Sequence, residues 1–186
     1  MNSRKESCAL RTGTRITVGI TGHRELPEEN IPAIAQGVRD CFAGLQNTRG
    51  DSAITVLSSL AEGADILCAK MAVDMGLRLA VPLPMSKTEY RRDFSESASR
   101  EFDFLLSVAD EVFTVLPEEA EPGHPSRGFY YRQAGIYIAK NCDVLLAVWD
   151  GEEEDNPEGA GTWETMKLAR EFGKPIQIID SYCAGS

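Results

Sequence analysis

The chain has 186 residues, 42% of them hydrophobic and 26% charged, a balance that fits one globular domain and excludes a wholly disordered chain. No apolar run approaches the ~20 residues that a membrane-spanning helix needs, so a transmembrane architecture is excluded too. With 29 acidic against 19 basic side chains the formal net charge is -10, which repels a phosphodiester backbone and argues against nucleic acid as a partner.

Residues 1–14 are polar and basic, lack a signal-peptide core and read as a flexible N-terminal tail, so the expected location is cytoplasmic. A single domain then fills residues 15–180. Arg15 to Thr21 is a β-branched apolar run ended by Gly22, as suits a strand buried on both faces. Ile31, Ile34, Ala35, Val38, Phe42 and Leu45 recur at helical spacing, with Pro32 where a first turn tolerates it. The alternation repeats with a strand from Ile54 to Ser58, a helix from Ala64 to Met75 closed by Gly76, and a strand from Arg78 to Leu83. Ser86 to Arg100 is polar and reads as a mobile or short-helical excursion, before a helix from Arg100 to Val108 and a strand from Glu111 to Leu116. After a Pro/Gly/Glu loop come a helix from Phe129 to Lys140 and the most apolar strand, Val144 to Trp149. An acidic loop, Asp150 to Glu158, leads through Gly159-Ala160-Gly161-Thr162 into a helix ending at Phe172 and a last strand, Pro175 to Ile179. Residues 181–186 read as a C-terminal tail.

Strands alternating with helices predict an α/β, Rossmann-like doubly wound fold: a mostly parallel six-stranded sheet with helices on both faces. Ligands of such sheets sit at the carboxyl ends of the strands, here expected at a switch point between strands one and four. The five cysteines (Cys8, Cys41, Cys68, Cys142, Cys183) are scattered without a CxxC pair and read as reduced thiols. The final Cys183-Ala184-Gly185-Ser186 only formally matches a prenylation box, since Gly185 replaces an aliphatic position. No metal site and no required cofactor are expected, although magnesium is compatible with a phosphate ligand.

Four segments follow strands and carry the chemistry. In Gly22-His23-Arg24 the glycine allows close backbone approach and Arg24 can grip phosphate, while a plain turn paired to nearby glutamates is the bland alternative. In Ser58 to Asp65, Ser59 offers a hydroxyl and Glu62 a carboxylate for a ribose, or these residues simply cap the next helix. Tyr131 beside Arg132 can stack a base and meet a phosphate, and Tyr90 to Asp93 has similar chemistry in a less certain place. Gly159, Ala160, Gly161 and Thr162 precede a helix and expose N–H donors at its positive end, a phosphate site unless Thr162 is merely the N-cap.

These segments, with Leu60-Ala-Glu-Gly-Ala-Asp65, Asn141-Cys-Asp-Val-Leu-Leu-Ala-Val-Trp-Asp-Gly151 and Gly173-Lys-Pro-Ile176, resemble the SLOG superfamily of Rossmann-like nucleotide-binding domains. That superfamily includes the Lonely Guy phosphoribohydrolases, the DNA-processing DprA proteins and the molybdenum-cofactor carriers. The resemblance implies a nucleotide-like ligand held by the Gly159–Thr162 loop opposite the strand-one loop, and it admits a homo-oligomer. The Lonely Guy motif P-G-G-x-G-T-x-x-E falls on Pro157 to Thr165, with Glu158 at a glycine position and Thr165 at that of the catalytic glutamate. Glu164 lies one residue earlier, about 100° around the helix. The resulting expectation is a sensor or carrier domain binding a nucleotide-derived small molecule such as an ADP-ribose-like ligand. The alternative is a phosphoribohydrolase cleaving nucleoside 5′-monophosphates with Glu62 or Glu164 as catalyst.

Overall fold

The computed structural model describes residues 15–49, 54–117, 125–153 and 160–182. Six strands, β1 (Ile16–Gly22), β2 (Ile54–Leu57), β3 (Arg78–Leu83), β4 (Glu111–Thr114), β5 (Val144–Trp149) and β6 (Ile176–Asp180), alternate with helices. The helices are α1 (Ile31–Arg49), α2 (Ala64–Asp74), α3 (Lys87–Tyr90), α4 (Glu96–Val108), α5 (Arg127–Asn141) and α6 (Thr162–Glu171). Every strand pair is parallel, in the order β4-β3-β2-β1-β5-β6.

The helices α1, α2 and α4 pack together on one face of the sheet, and α5 pairs with α6 on the other. Strand side chains alternate between the two layers. Val18, Ile20, Val56 and Val148 join the α1–α2–α4 core, whereas Leu145 and Ala147 meet Ala139, Met166 and Ala169 of α5 and α6. Burial on both faces explains why these strands read as continuous apolar runs.

The order reverses between β1 and β5, not between strands one and four as expected. The first four strands march outward and α5 brings the chain back to the other side of β1. The expected position fails because β4 continues the first half as its edge, where Glu111, Val112 and Thr114 are exposed.

The excursion after β3 is short-helical and anchored. It consists of α3, a 3-10 turn at Arg91–Asp93 and the early start of α4 at Glu96. Ser86 and Ser95 cap the two helices, accepting from the N–H groups of Glu89 at 3.3 Å and Ala98 at 3.2 Å. Tyr90 is 1% exposed and meets the rings of Phe94 and Phe102 at 4.9 and 5.7 Å, edge to face. Three aromatic rings spaced along a polar stretch thus pin it to the core.

Cys41, Cys68 and Cys142 are buried free thiols; Cys8 and Cys183, with both ends of the chain at 1–14 and 183–186, lie outside the described residues. Ser181, read as tail, is buried, donating its N–H to the Trp149 carbonyl at 3.0 Å and accepting from Asn30 Nδ2 at 3.0 Å. No helix among the described residues is long and apolar enough to cross a membrane.

Candidate functional site

The carboxyl ends of β1 and β5 open into a cavity of about 550 Å³, within the size range of small-ligand sites. Gly22 has a packing reason in addition to any ligand: a Cβ there would lie 2.4 Å from the Ala64 Cβ and 2.9 Å from the Val148 carbonyl oxygen. Gly63, with φ of +91°, is tighter still, since a Cβ would stand 2.1 Å from the Arg24 carbonyl oxygen. Ala64 N–H donates to the His23 carbonyl at 3.0 Å, so the backbone of the β1 loop satisfies the first turn of α2. That junction fixes the direction in which Arg24 leaves the sheet.

His23 is tied to β5 through its N–H, which donates to the Val148 carbonyl at 3.3 Å. Its Nε2 lies 3.1 Å from Asp150 Oδ1 and 3.4 Å from the Asp150 amide nitrogen. One ring nitrogen cannot serve both. Unprotonated, Nε2 accepts from the amide; protonated, it donates to the carboxylate.

Arg24 lies over the Tyr131 ring, 5.2 Å from its centroid. Burial works against the guanidinium charge, but the Tyr131 hydrogen bond and the neighbouring Tyr90, Tyr131 and Asp93 outweigh it and raise the Arg24 pKa. The Tyr131 hydroxyl in turn donates to Asp93, which also accepts from Arg127 Nη2 at 2.5 Å. Arg127 Nη2 further donates to the Glu89 carbonyl at 2.9 Å. Tyr131, expected to stack a base, therefore has Arg24 over its ring and the Tyr90 ring 5.9 Å away; in this arrangement it supports the arginine.

Asp65 lines the same cavity and is 6% exposed. Burial raises its pKa from 3.8 to about 7, against the opposing pull of hydrogen bonds from Ala61 and Ser58 and of the Arg24 charge. Ser58 Oγ reaches Asp65 Oδ2 at 3.3 Å and accepts the Leu60 N–H at 3.1 Å, holding the fully buried Leu60 at a φ of +58°.

The opposite wall is the start of α6. Ala160, Gly161 and Thr162 line the cavity, whereas Gly159 lies outside the described residues. No side chain of the N-cap residue Gly161 satisfies the helix start. Glu164, third in the helix, folds back over it, with Oε2 2.9 Å from where a Gly161 Cβ would stand and Oε1 3.7 Å from Lys167 Nζ. Thr165, at the expected glutamate position, donates its hydroxyl to the Gly161 carbonyl at 2.8 Å and closes the first turn. Trp149 and Trp163 also line the cavity, stacked at 5.6 Å with 8° between their planes, and Arg170 covers Trp163 at 5.0 Å.

Of the sequence candidates, the structure brings together Gly22, His23, Arg24, Ser59, Tyr131, Ala160, Gly161, Thr162 and Glu164. Ser59 spends its hydroxyl on the Pro82 carbonyl at 2.9 Å. Glu62 and Arg132 are not among the lining residues. The Glu62 carboxylate instead accepts from Ser95 N at 3.0 Å and Ser95 Oγ at 2.6 Å, tying the β2–α2 loop to the start of α4. Sequence reasoning did not assign site roles to Asp93, Asp65 and the two tryptophans. Both aspartates lay inside candidate segments, Asp65 on a helix first turn after a strand and Asp93 at the end of Tyr90 to Asp93, but the partners they meet were legible only in the fold. Among the described residues no group of His, Cys, Asp or Glu could hold a metal ion.

No protein-family model matches the sequence, and no curated protein matches it. Among solved structures, DNA processing protein A (DprA) from Streptococcus pneumoniae is similar at 18% identity with a TM-score of 0.60, over 92% of this chain and 51% of that one. DprA from Helicobacter pylori is similar at 16% identity with a TM-score of 0.58, over 93% of this chain and 69% of that one. TM1055, a structural-genomics target, follows at 13% and 0.50, over 87% and 72%. This chain has a DprA-like fold. At these identities the likeness is one of fold, and the chain spans about half the length of the Streptococcus pneumoniae protein. One expectation is corrected: the Helicobacter pylori DprA structure, which is similar in fold, concerns a single-stranded DNA binding mode, so the overall acidity of this chain is no argument against nucleic acid. Local charge decides such contacts, and net charge does not report it.

Proposed function

We propose that the cavity between the β1 loop and α6 binds a nucleotide or nucleotide-derived small molecule, with its phosphate on Arg24, as a sensor or carrier domain. The observation that carries this reading is Arg24 itself, a cation whose charge is upheld by Tyr131 and Asp93 at the wall of a ligand-sized cavity. The tryptophan pair supplies apolar aromatic surface in the same cavity, as a base requires. The test is a thermal-shift panel of nucleosides, nucleotides, ADP-ribose and a single-stranded oligonucleotide, followed by titration of each hit. Arg24→Ala is expected to abolish saturable nucleotide binding while the domain stays folded; undiminished affinity overturns the assignment.

A hydrolytic reading draws on a separate observation. Asp65 and Glu164 are buried carboxyls in the cavity wall, and Asp65 has a pKa near neutrality, which suits proton transfer to a leaving base. Chromatography of each bound nucleotide for released base distinguishes the two. Intact ligand after prolonged incubation supports binding without turnover, and base release lost in Asp65→Asn or Glu164→Gln supports a phosphoribohydrolase.

A further inference from the structure

The walls of the cavity are unequal in charge. Among the described lining residues Arg24 is the one arginine or lysine, facing the carboxyls of Asp65, Glu152 and Glu164. The start of α6 would ordinarily attract an anion, because its N–H groups and dipole point outward. Here Glu164 lies over that start: it is 8% exposed, and its Oε2 sits 2.9 Å from the place a Gly161 Cβ would take. A glutamate at the third helical position reaching back to the N-cap is the geometry of a capping box. A carboxylate held there meets a phosphate with like charge. Lys167, 3.7 Å from Glu164 Oε1, offsets part of that charge, but it also lies 5.6 Å over the Trp163 ring and is not among the lining residues.

We infer that Glu164 is a specificity-determining residue, which closes the α6 end of the cavity to phosphate and leaves it to the hydroxyl groups of a sugar. This rests on the binding reading above and narrows it: the ligand carries one anionic group, seated on Arg24, and a neutral hydroxyl-bearing part toward α6. A carboxylate accepts hydrogen bonds from a diol, and Thr162 adds a hydroxyl to the same wall. A second phosphate is rejected because it would have to displace Glu164 or share its place.

The test compares adenosine 5′-monophosphate with ADP by calorimetric titration of the full chain, in the wild type and in Glu164→Gln. The wild type is expected to favour the monophosphate about tenfold, and Glu164→Gln to bring the two affinities within about threefold. A purely capping role would lower the melting temperature of Glu164→Gln and leave the preference unchanged, and that result overturns the inference. Inorganic pyrophosphate is a second probe that needs no base: Glu164→Gln should gain thermal stabilisation from it that the wild type lacks, and equal responses count against the proposal. Wild-type protein that binds neither nucleotide refutes the binding reading itself, whereas a wild type that prefers ADP refutes only the role of Glu164.

Discussion

Asp65 links the proton balance of the fold to the cavity, and its titration can be measured without knowing the ligand. The carboxyl is buried, and its pKa rises from 3.8 to about 7 in the folded chain. The folded state therefore binds this proton more tightly than the unfolded state, so the contribution is fully present below about pH 4 and is lost as pH rises toward 7. One pKa unit corresponds to about 1.4 kcal/mol, so the whole interval amounts to about 4 kcal/mol, of which about 3 kcal/mol falls between pH 5 and pH 8. Asp65→Asn keeps the shape and an acceptor for the Ala61 and Ser58 donors but carries no titrating proton. In urea unfolding at pH 5 and pH 8 the variant should gain about 3 kcal/mol relative to wild type at the higher pH, equivalent to roughly 6–12 °C in melting temperature. The same pH dependence in both proteins would refute the reasoning. It would mean that water or a rearranged Arg24 solvates the carboxylate in the folded chain.

Two further substitutions separate structural from ligand roles. Gly63→Ala should cost at least about 3 kcal/mol, because a left-handed backbone and a contact with the Arg24 carbonyl both oppose a side chain there; a melting temperature within about 2 °C of wild type would show that the loop relaxes freely. Glu62→Ala should cost roughly 1 kcal/mol through the lost Ser95 hydrogen bonds and leave nucleotide affinity unchanged. Lost affinity with unchanged stability would return Glu62 to the ribose role expected from its sequence.

The elements themselves were legible because each is a local pattern. The β-branched run at Ile16–Gly22, the apolar run at Val144–Trp149 and the helical spacing from Ile31 onward encode strand or helix. That Gly22-His23-Arg24 and Gly161-Thr162 would meet at one edge of the sheet was legible for a similar reason: in a parallel sheet the segments that lead from strand ends into the following helices gather at that edge. The excursion after β3 was partly legible. Its polarity pointed to a surface segment, but the regular burial of Tyr90, Phe94 and Phe102 was diluted by the charges between them.

Other features depend on which distant segments meet. Strand order is one of them: β4 reads as an ordinary strand, and only its place at the edge moves the switch point to β1 and β5. Asp93 and Tyr131 are 38 residues apart in the chain, and neither residue alone signals that together they hold Arg24. Glu62 looked like a ribose ligand until Ser95, 33 residues on, took its carboxylate. Local sequence determines most of the secondary structure and the edge of the sheet at which the loops after the strands gather, because those follow from periodicity and chain connectivity. Tertiary structure decides which charges face each other across that edge, since Coulomb and hydrogen-bond energies depend on distance in space, which separation along the chain does not supply.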